Sequence, residues 1–172
     1  MAYRFYRDGH LEVEPLVAEL SKFLRGIVPQ VKLDVTFEIM TGAANPSEFE
    51  APEVLVVFRG RDSELLLQHN AEVLLAMEFL AVRCLRLDPM AYDRIRFDCG
   101  EYRATRLAEL KLAAQIAAQR VRELHQPFRM NPMAPRERRI VHLTIKDEPG
   151  IRTGSEGEGE HRQVVIYPAD SK

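Results

Sequence analysis

The sequence contains few of the residue types from which catalytic and metal centres are built. Its 172 residues include no tryptophan, two cysteines and five scattered histidines. Cys84 and Cys99 lie at no metal-ligand spacing from each other or from a histidine, which excludes a zinc finger and a disulfide framework. Two buried thiols are typical of a reducing compartment, so we expect a cytoplasmic location.

Long apolar runs and enzyme signatures are equally scarce. No apolar run approaches the roughly 18 residues that cross a bilayer, and the N-terminus lacks the apolar core of a signal peptide. Phosphate loops, G-x-S-x-G elbows and H-E-x-x-H zinc pairs do not occur. The acidic stretch 156–160 lacks the pattern of a calcium loop. We therefore expect no enzyme, no metal, no cofactor and no membrane association.

What the chain does have is basic charge concentrated in one segment. The net charge is −2, but residues 103–146 contain ten Lys or Arg and three acidic residues, so this segment is +7. A basic segment within an acidic chain indicates a localised site for a polyanion. The alternative is that part of this charge forms the solvated face of a helix.

Within the basic segment, Arg138 and His142 stand four residues apart behind a helix-start signal. Pro135 suits the first helical position, and Glu137 in the first turn interacts favourably with the helix dipole. A helix over 135–146 would place Arg138 and His142 on one face, where guanidinium and imidazole can bind phosphate oxygens. The candidate nucleic-acid-binding residues are Arg129, Arg136, Arg138, Arg139 and His142.

A structural explanation of the same pair competes with the binding one. Val141 and Ile145 share the helical face of Arg138 and His142. Because amphipathic faces usually pack against a core, the pair would then only brace the fold.

Apolar periodicity predicts an α+β chain. The predicted helices cover 12–27, 63–85 with a break near 68–71, 102–125 and 135–146. The predicted strands cover 31–39, 53–58, 92–98, 128–130 and 163–167, with loops at 41–52 and a mobile one at 154–159.

The stretch Phe128-Arg-Met-Asn-Pro-Met-Ala-Pro-Arg-Glu-Arg-Arg-Ile-Val-His142, with the segments 151–158 and 162–168 in order behind it, closely resembles the Arg-x-x-x-His ("R-three-H") single-stranded nucleic-acid-binding domain. The resemblance is strongest to the C-terminal domain of the bacterial Jag family of RNA-binding proteins. The preceding order of helix, strand, strand, helix, helix, strand is similar to the type II KH domain that this family places directly before it. The resemblances cover nearly everything from about residue 12 onward, and the family's extra N-terminal domain is expected to be missing.

One loop departs from the KH pattern. KH domains hold the nucleic-acid backbone with a G-x-x-G loop, because glycine lets the main chain approach phosphates closely. The matching residues are Gln68, His69, Asn70 and Ala71, so neither outer position is glycine. We expect the Cβ atoms of Gln68 and Ala71 to obstruct that approach, and the KH half to serve as a scaffold or a protein-contact surface.

The resemblance implies a KH-like domain over 1–101 and a small α/β Arg-x-x-x-His domain over 102–172. It implies contact with the backbone of single-stranded RNA through the second domain, and single-stranded DNA is left open as the alternative ligand. It further implies a small KH-domain protein as partner, and post-transcriptional regulation linked to cell-envelope growth. The alternative function is a protein-interaction adaptor whose nucleic-acid binding is vestigial, which the degenerate loop and the acidic first half favour.

Overall fold

Helices and strands are mixed along the chain, as the α+β prediction requires. The computed structural model describes residues 3–42 and 52–169. The chain divides into two compact units, Met1–Arg103 and Ala104–Lys172.

The first unit is built around a three-stranded sheet with helices beside it. Its elements are β1 (Tyr6–Arg7), β2 (His10–Leu11), α1 (Val13–Ile27), β3 (Thr36–Thr41), β4 (Val54–Arg59), α2 (Gln68–Cys84) and β5 (Ile95–Cys99). Strand β4 is central, antiparallel to β3 and parallel to β5. Alternate residues of β4 are fully buried, at Val54, Val56 and Phe58, and they join Leu16, Leu20 and Leu24 of α1 in one core.

A carboxylate joins α2 to β5, the edge strand of this sheet. Glu78 accepts a hydrogen bond from the backbone N–H of Phe97 at 2.7 Å and another from the guanidinium of Arg103 at 2.6 Å. Arg96 is 4% exposed, and it lies 3.8 Å from the other carboxylate oxygen of Glu78. The paired charges explain how this strand can bury an arginine, because an unpaired buried charge is strongly unfavourable.

Two predicted strands of this unit begin later than the sequence indicates. The strand predicted from Val31 begins at Thr36, because Val28–Val31 forms a 3-10 helix and Lys32 turns the chain with a φ of 54°. The strand predicted from Tyr92 begins at Ile95, because a 3-10 helix over Pro89–Arg94 precedes it. Of the loop predicted over 41–52, residues 43–51 lie outside the described residues.

The two cysteines differ in exposure, which corrects the expectation that both are buried. Cys99 of β5 is buried, and burial raises the pKa of its thiol above the ordinary value. Cys84, the last residue of α2, is exposed. Both thiols are free.

One segment corrects the expectation about membrane-length runs. By length and composition alone, Ser63–Cys84 is apolar enough to cross a bilayer. It buries Leu66, Leu74 and Met77 in the core of the first unit and carries the charged Glu78. A core helix passes the same test of composition, so the segment is weak support for a membrane span.

The second unit combines two helices with an antiparallel sheet. Its elements are α3 (Tyr102–Leu124), which begins in the first unit, β6 (Phe128–Arg129), α4 (Pro135–Thr144), β7 (Ile151–Glu156) and β8 (Gln163–Pro168). The strand order is β6-β8-β7, with β8 in the centre. Val164, Val165 and Ile166 of β8 are fully buried, as is Val121 of α3.

The sequence pattern does not predict strand β7, which covers Ile151–Glu156. The prediction of a mobile loop over 154–159 is therefore wrong for residues 154–156. Gly154 pairs with Val165, and Glu156 pairs with Gln163, so these residues belong to a regular antiparallel ladder. Glycine usually weakens a strand, which is why the sequence indicates a loop. A Cβ added to Gly154 would lie 3.4 Å from Cε2 of Tyr167, which is van der Waals contact and not a clash.

Candidate nucleic-acid interface

Helix α4 is held at its N-terminus by the carboxylate that the sequence places there. Glu137 accepts a hydrogen bond from the backbone N–H of Ala134 at 3.1 Å and another from Nε of Arg106 at 2.7 Å. Pro135 occupies the first helical position, where its missing N–H costs nothing. The start of α4 is therefore fixed both to its own backbone and to α3.

The exposed part of α4 presents arginines that lack acidic partners. Arg139 is exposed and Arg138 is half-buried. Among the described residues, no carboxylate pairs with the guanidinium of Arg138 or Arg139, and Nε of Arg138 is buried without an acceptor. The accessible N–H groups of an unpaired guanidinium can form charge-assisted hydrogen bonds with an added anionic oxygen.

His142 is engaged by the neighbouring strand on both sides of its ring. Nδ1 lies 2.7 Å from Oγ1 of Thr153, and Nε2 lies 3.0 Å from Oγ of Ser155. Thr153 and Ser155 are two residues apart on β7 and so project to the same face of the sheet. A hydroxyl either donates or accepts, so both nitrogens of a neutral ring are satisfied. The imidazole thus joins α4 to β7.

The environment of His142 favours its neutral form. Burial lowers the pKa of His142 below its ordinary value of 6.5, and the positive charge of Arg138 lowers it further. Arg138 precedes His142 by one turn of α4, the spacing at which side chains on a helix interact. At neutral pH the ring is therefore an uncharged link between two elements.

The other two predicted arginines occupy different surroundings. Arg136 is half-buried on α4. Arg129 lies on β6 rather than on the helix, and it pairs with Glu156 of β7 at 3.3 Å. The side chain of Arg129 is 60% exposed, and an ion pair this accessible contributes little stability. A phosphate can therefore exchange with the carboxylate at low cost.

The sequence does not single out Thr153 and Ser155, because β7 is not recognised as a strand. The signal that could have found them is the alternation of Ile151, Thr153 and Ser155, which places three residues on one face of a strand. Their hydroxyls give His142 a bracing role, and the side chains of Val141 and Ile145 beside it are buried. The structural explanation therefore accounts for His142 and its apolar neighbours, and it leaves the accessible guanidinium groups unexplained.

The loop at 68–71 interrupts the start of α2 in the first unit, and its backbone conformation is unusual. His69, Asn70 and Ala71 have φ values of 52°, 61° and 61°, a left-handed conformation that L-residues other than glycine rarely adopt. Gln68, His69 and Asn70 do not belong to the core, whereas Ala71 is fully buried. The methyl group of Ala71 therefore lies in the core and not on the loop surface, where it was expected to obstruct a backbone.

The sequence of this chain is similar to a known domain and to several known proteins. Residues 108–168 match the model of the R-three-H domain. A protein of Clostridium symbiosum named RNA-binding protein KhpB is 28% identical over 137 residues, which is 78% of this chain and 62% of the relative. The protein of the same name in Bacillus subtilis is 32% identical over 109 residues, or 62% of this chain and 52% of the relative.

A third relative covers more of the chain at lower identity. The RNA-binding protein KhpB of Streptococcus pneumoniae D39 is 21% identical over 159 residues, or 92% of this chain and 46% of the relative. The chain spans about half the length of the curated relatives it matches. Residues 108–168 are therefore similar to the R-three-H domain, and these matches confirm the resemblance to the Jag family.

Proposed function

We propose that this protein binds RNA, and that it contacts the backbone of single-stranded RNA through the second unit. The match to the R-three-H domain and the names of the relatives support RNA binding. The observation that carries the backbone contact is the pair of α4 guanidinium groups, at Arg138 and Arg139, with no carboxylate partner in the described part of the chain. Contacts to phosphate supply affinity without much sequence information.

Each candidate residue has a role in this proposal. Arg138 and Arg139 contact phosphate, and Arg136 and Arg129 extend the positive field around them. His142 uses both ring nitrogens on the hydroxyls of β7, so we assign it the positioning of α4 and Arg138. A phosphate would compete with those hydroxyls for the same imidazole.

The finer parts of the proposal rest on the resemblance. The first unit is a KH-like scaffold, and the order of α1, β3, β4, a 3-10 helix at Ser63–Leu67, α2 and β5 supports that assignment. The chain acts in the cytoplasm, in post-transcriptional regulation linked to cell-envelope growth, with a small KH-domain protein as partner. No catalytic step enters the proposal, and the relatives bear the names of RNA-binding proteins.

The test compares Arg138→Ala with Arg25→Ala, which removes one exposed arginine of α1 in the first unit. Arg138→Ala should weaken binding of unrelated single-stranded RNAs by roughly tenfold, because it removes charge-assisted hydrogen bonds. The slope of log affinity against log salt should fall by about 0.7. Binding by Arg25→Ala should stay within about twofold of the wild type.

A different result would support the bracing explanation. If Arg138→Ala keeps its RNA affinity and its melting temperature falls sharply, Arg138 stabilises the fold and does not contact phosphate. The adaptor alternative predicts that the wild-type protein carries no nucleic acid after purification at low salt. The absorbance ratio at 260 and 280 nm measures that directly.

A further inference from the structure

The second unit also contains an apolar groove, which no residue of α4 lines. It has a volume of about 420 Å³ and runs between α3 and the segment from β6 to Met133. Its apolar surface is formed by Leu110, Ala113, Ile116, Phe128, Met130 and Met133. Ile116, which lines the groove, is an apolar side chain that is nevertheless 59% exposed. This size falls within the range of small-molecule sites in proteins.

The rim of the groove is basic. Arg120 and Arg129 line it, and Arg120 holds its guanidinium carbon 5.7 Å from the centroid of the Phe128 ring. The one carboxylate that lines the groove, Glu109, lies 3.3 Å from Arg106, which also donates to Glu137. The groove thus offers an aromatic face and apolar walls inside, with cations at its mouth.

We infer that this groove binds a nucleobase of the same single-stranded RNA whose backbone the α4 arginines contact. An unstacked base has an apolar face that stacks on aromatic rings and on guanidinium planes, and it is always attached to an anionic phosphate. Phe128 and Arg120 supply the stacking surfaces. Arg129 and Arg120 lie where the phosphates beside the base would need cations.

The charge of the rim favours a nucleotide over an apolar peptide segment as occupant. An apolar peptide side chain would pack against the apolar walls of the groove. It would offer no negative charge to the two rim guanidinium groups, those of Arg120 and Arg129. A nucleotide satisfies both parts of the groove at once. The inference rests on the proposed function, and it adds a contact to the base to the contacts with the backbone.

The test separates bases from phosphates by using two RNA probes. One is a fluorescein-labelled oligouridine of about twelve nucleotides, and the other has the same phosphates but abasic sites in place of its central uracils. Wild-type protein should bind the complete oligonucleotide roughly tenfold more tightly, since stacking of one base contributes that much. Ile116→Gln and Phe128→Leu should bring this ratio close to one and leave the salt slope unchanged.

The control is Leu112→Gln, four residues before Ile116 on α3. Leu112 is 58% exposed, like Ile116, but does not line the groove. The ratio of the affinities of Leu112→Gln for the two probes should therefore stay at the wild-type value. Ile116→Gln changes an exposed side chain and is expected to fold even if Phe128→Leu does not. Both variants use the full chain.

The outcomes distinguish this inference from the proposed function. If Arg138→Ala weakens both probes equally while Ile116→Gln keeps the wild-type ratio, RNA binding stands and the groove does not hold a base. A wild-type ratio near one also overturns the base site, and a peptide segment is then the better occupant. If the wild type binds neither probe, the proposed function fails and this inference fails with it.

Discussion

At the scale of single residues, His142 gives the clearest physical prediction. Burial and Arg138 lower the pKa of His142 below 6.5 in the folded chain, whereas the unfolded chain has the ordinary value. The unfolded state therefore binds more protons below about pH 6.5, and stability should fall as the pH drops from there. His142→Gln should lose this contribution, so its unfolding free energy should depend less on pH between about 7.5 and 5.5.

Urea unfolding at the two pH values measures the difference. The control is His161→Gln, which removes an exposed histidine from the turn before β8 and leaves His142 and its hydroxyl partners unchanged. If wild type and His142→Gln lose the same stability on acidification, the ring of His142 is not held neutral by its surroundings. The hydrogen bonds to Thr153 and Ser155 would then tolerate either form of the imidazole.

At the scale of elements, residues 69–71 form a turn whose left-handed backbone conformation is energetically unfavourable. A left-handed conformation costs an L-residue about 1–2 kcal/mol, whereas glycine adopts it freely. His69 is exposed and has a φ of 52°, so His69→Gly should raise the unfolding free energy by about 0.5–1 kcal/mol after the entropy of glycine is subtracted. Thermal or urea unfolding measures it.

His69→Ala is the matched control, because it removes the same side chain and keeps the Cβ atom. The unfolding free energy of His69→Ala should not show the increase expected for His69→Gly. The prediction is contradicted if the glycine variant is no more stable than the alanine variant. In that case the turn is held without strain, and the hydrogen bond from the Tyr102 hydroxyl to the carbonyl of Asn70, at 3.0 Å, is one contact that would hold it.

The sequence predicts some elements closely and misses others for physical reasons. Helix α3 ends at Leu124, one residue before the predicted end, because Pro127 follows and apolar spacing is regular up to that point. Strand β7 is missed because Thr153, Gly154 and Ser155 resemble a loop when no pairing partner is known. The arginines of α4 can be named from their spacing, but the partners of His142 cannot, since they depend on the register between β7 and β8.

At the scale of the whole molecule, the asymmetry of charge predicts where RNA binds. The segment 103–146 is +7 in a chain of −2, so the remainder of the chain is acidic and repels a polyanion. The basic segment contains α4 and most of α3. The loop residue Gln68 belongs to the acidic first unit, and we therefore expect it not to contact the bound RNA.

Two substitutions that each lower the net charge by one unit test this localisation. Arg139→Gln should weaken single-stranded RNA binding by about fivefold, because it removes one contact to phosphate. Gln68→Glu makes the same change in total charge and should alter affinity by less than about twofold, because it removes no contact to phosphate and salt screens a charge that does not contact the RNA. Fluorescence anisotropy at about 0.1 M salt compares them. If Gln68→Glu weakens binding as much as Arg139→Gln, the loop at 68–71 contacts RNA, and the first unit is a second binding surface and not a scaffold.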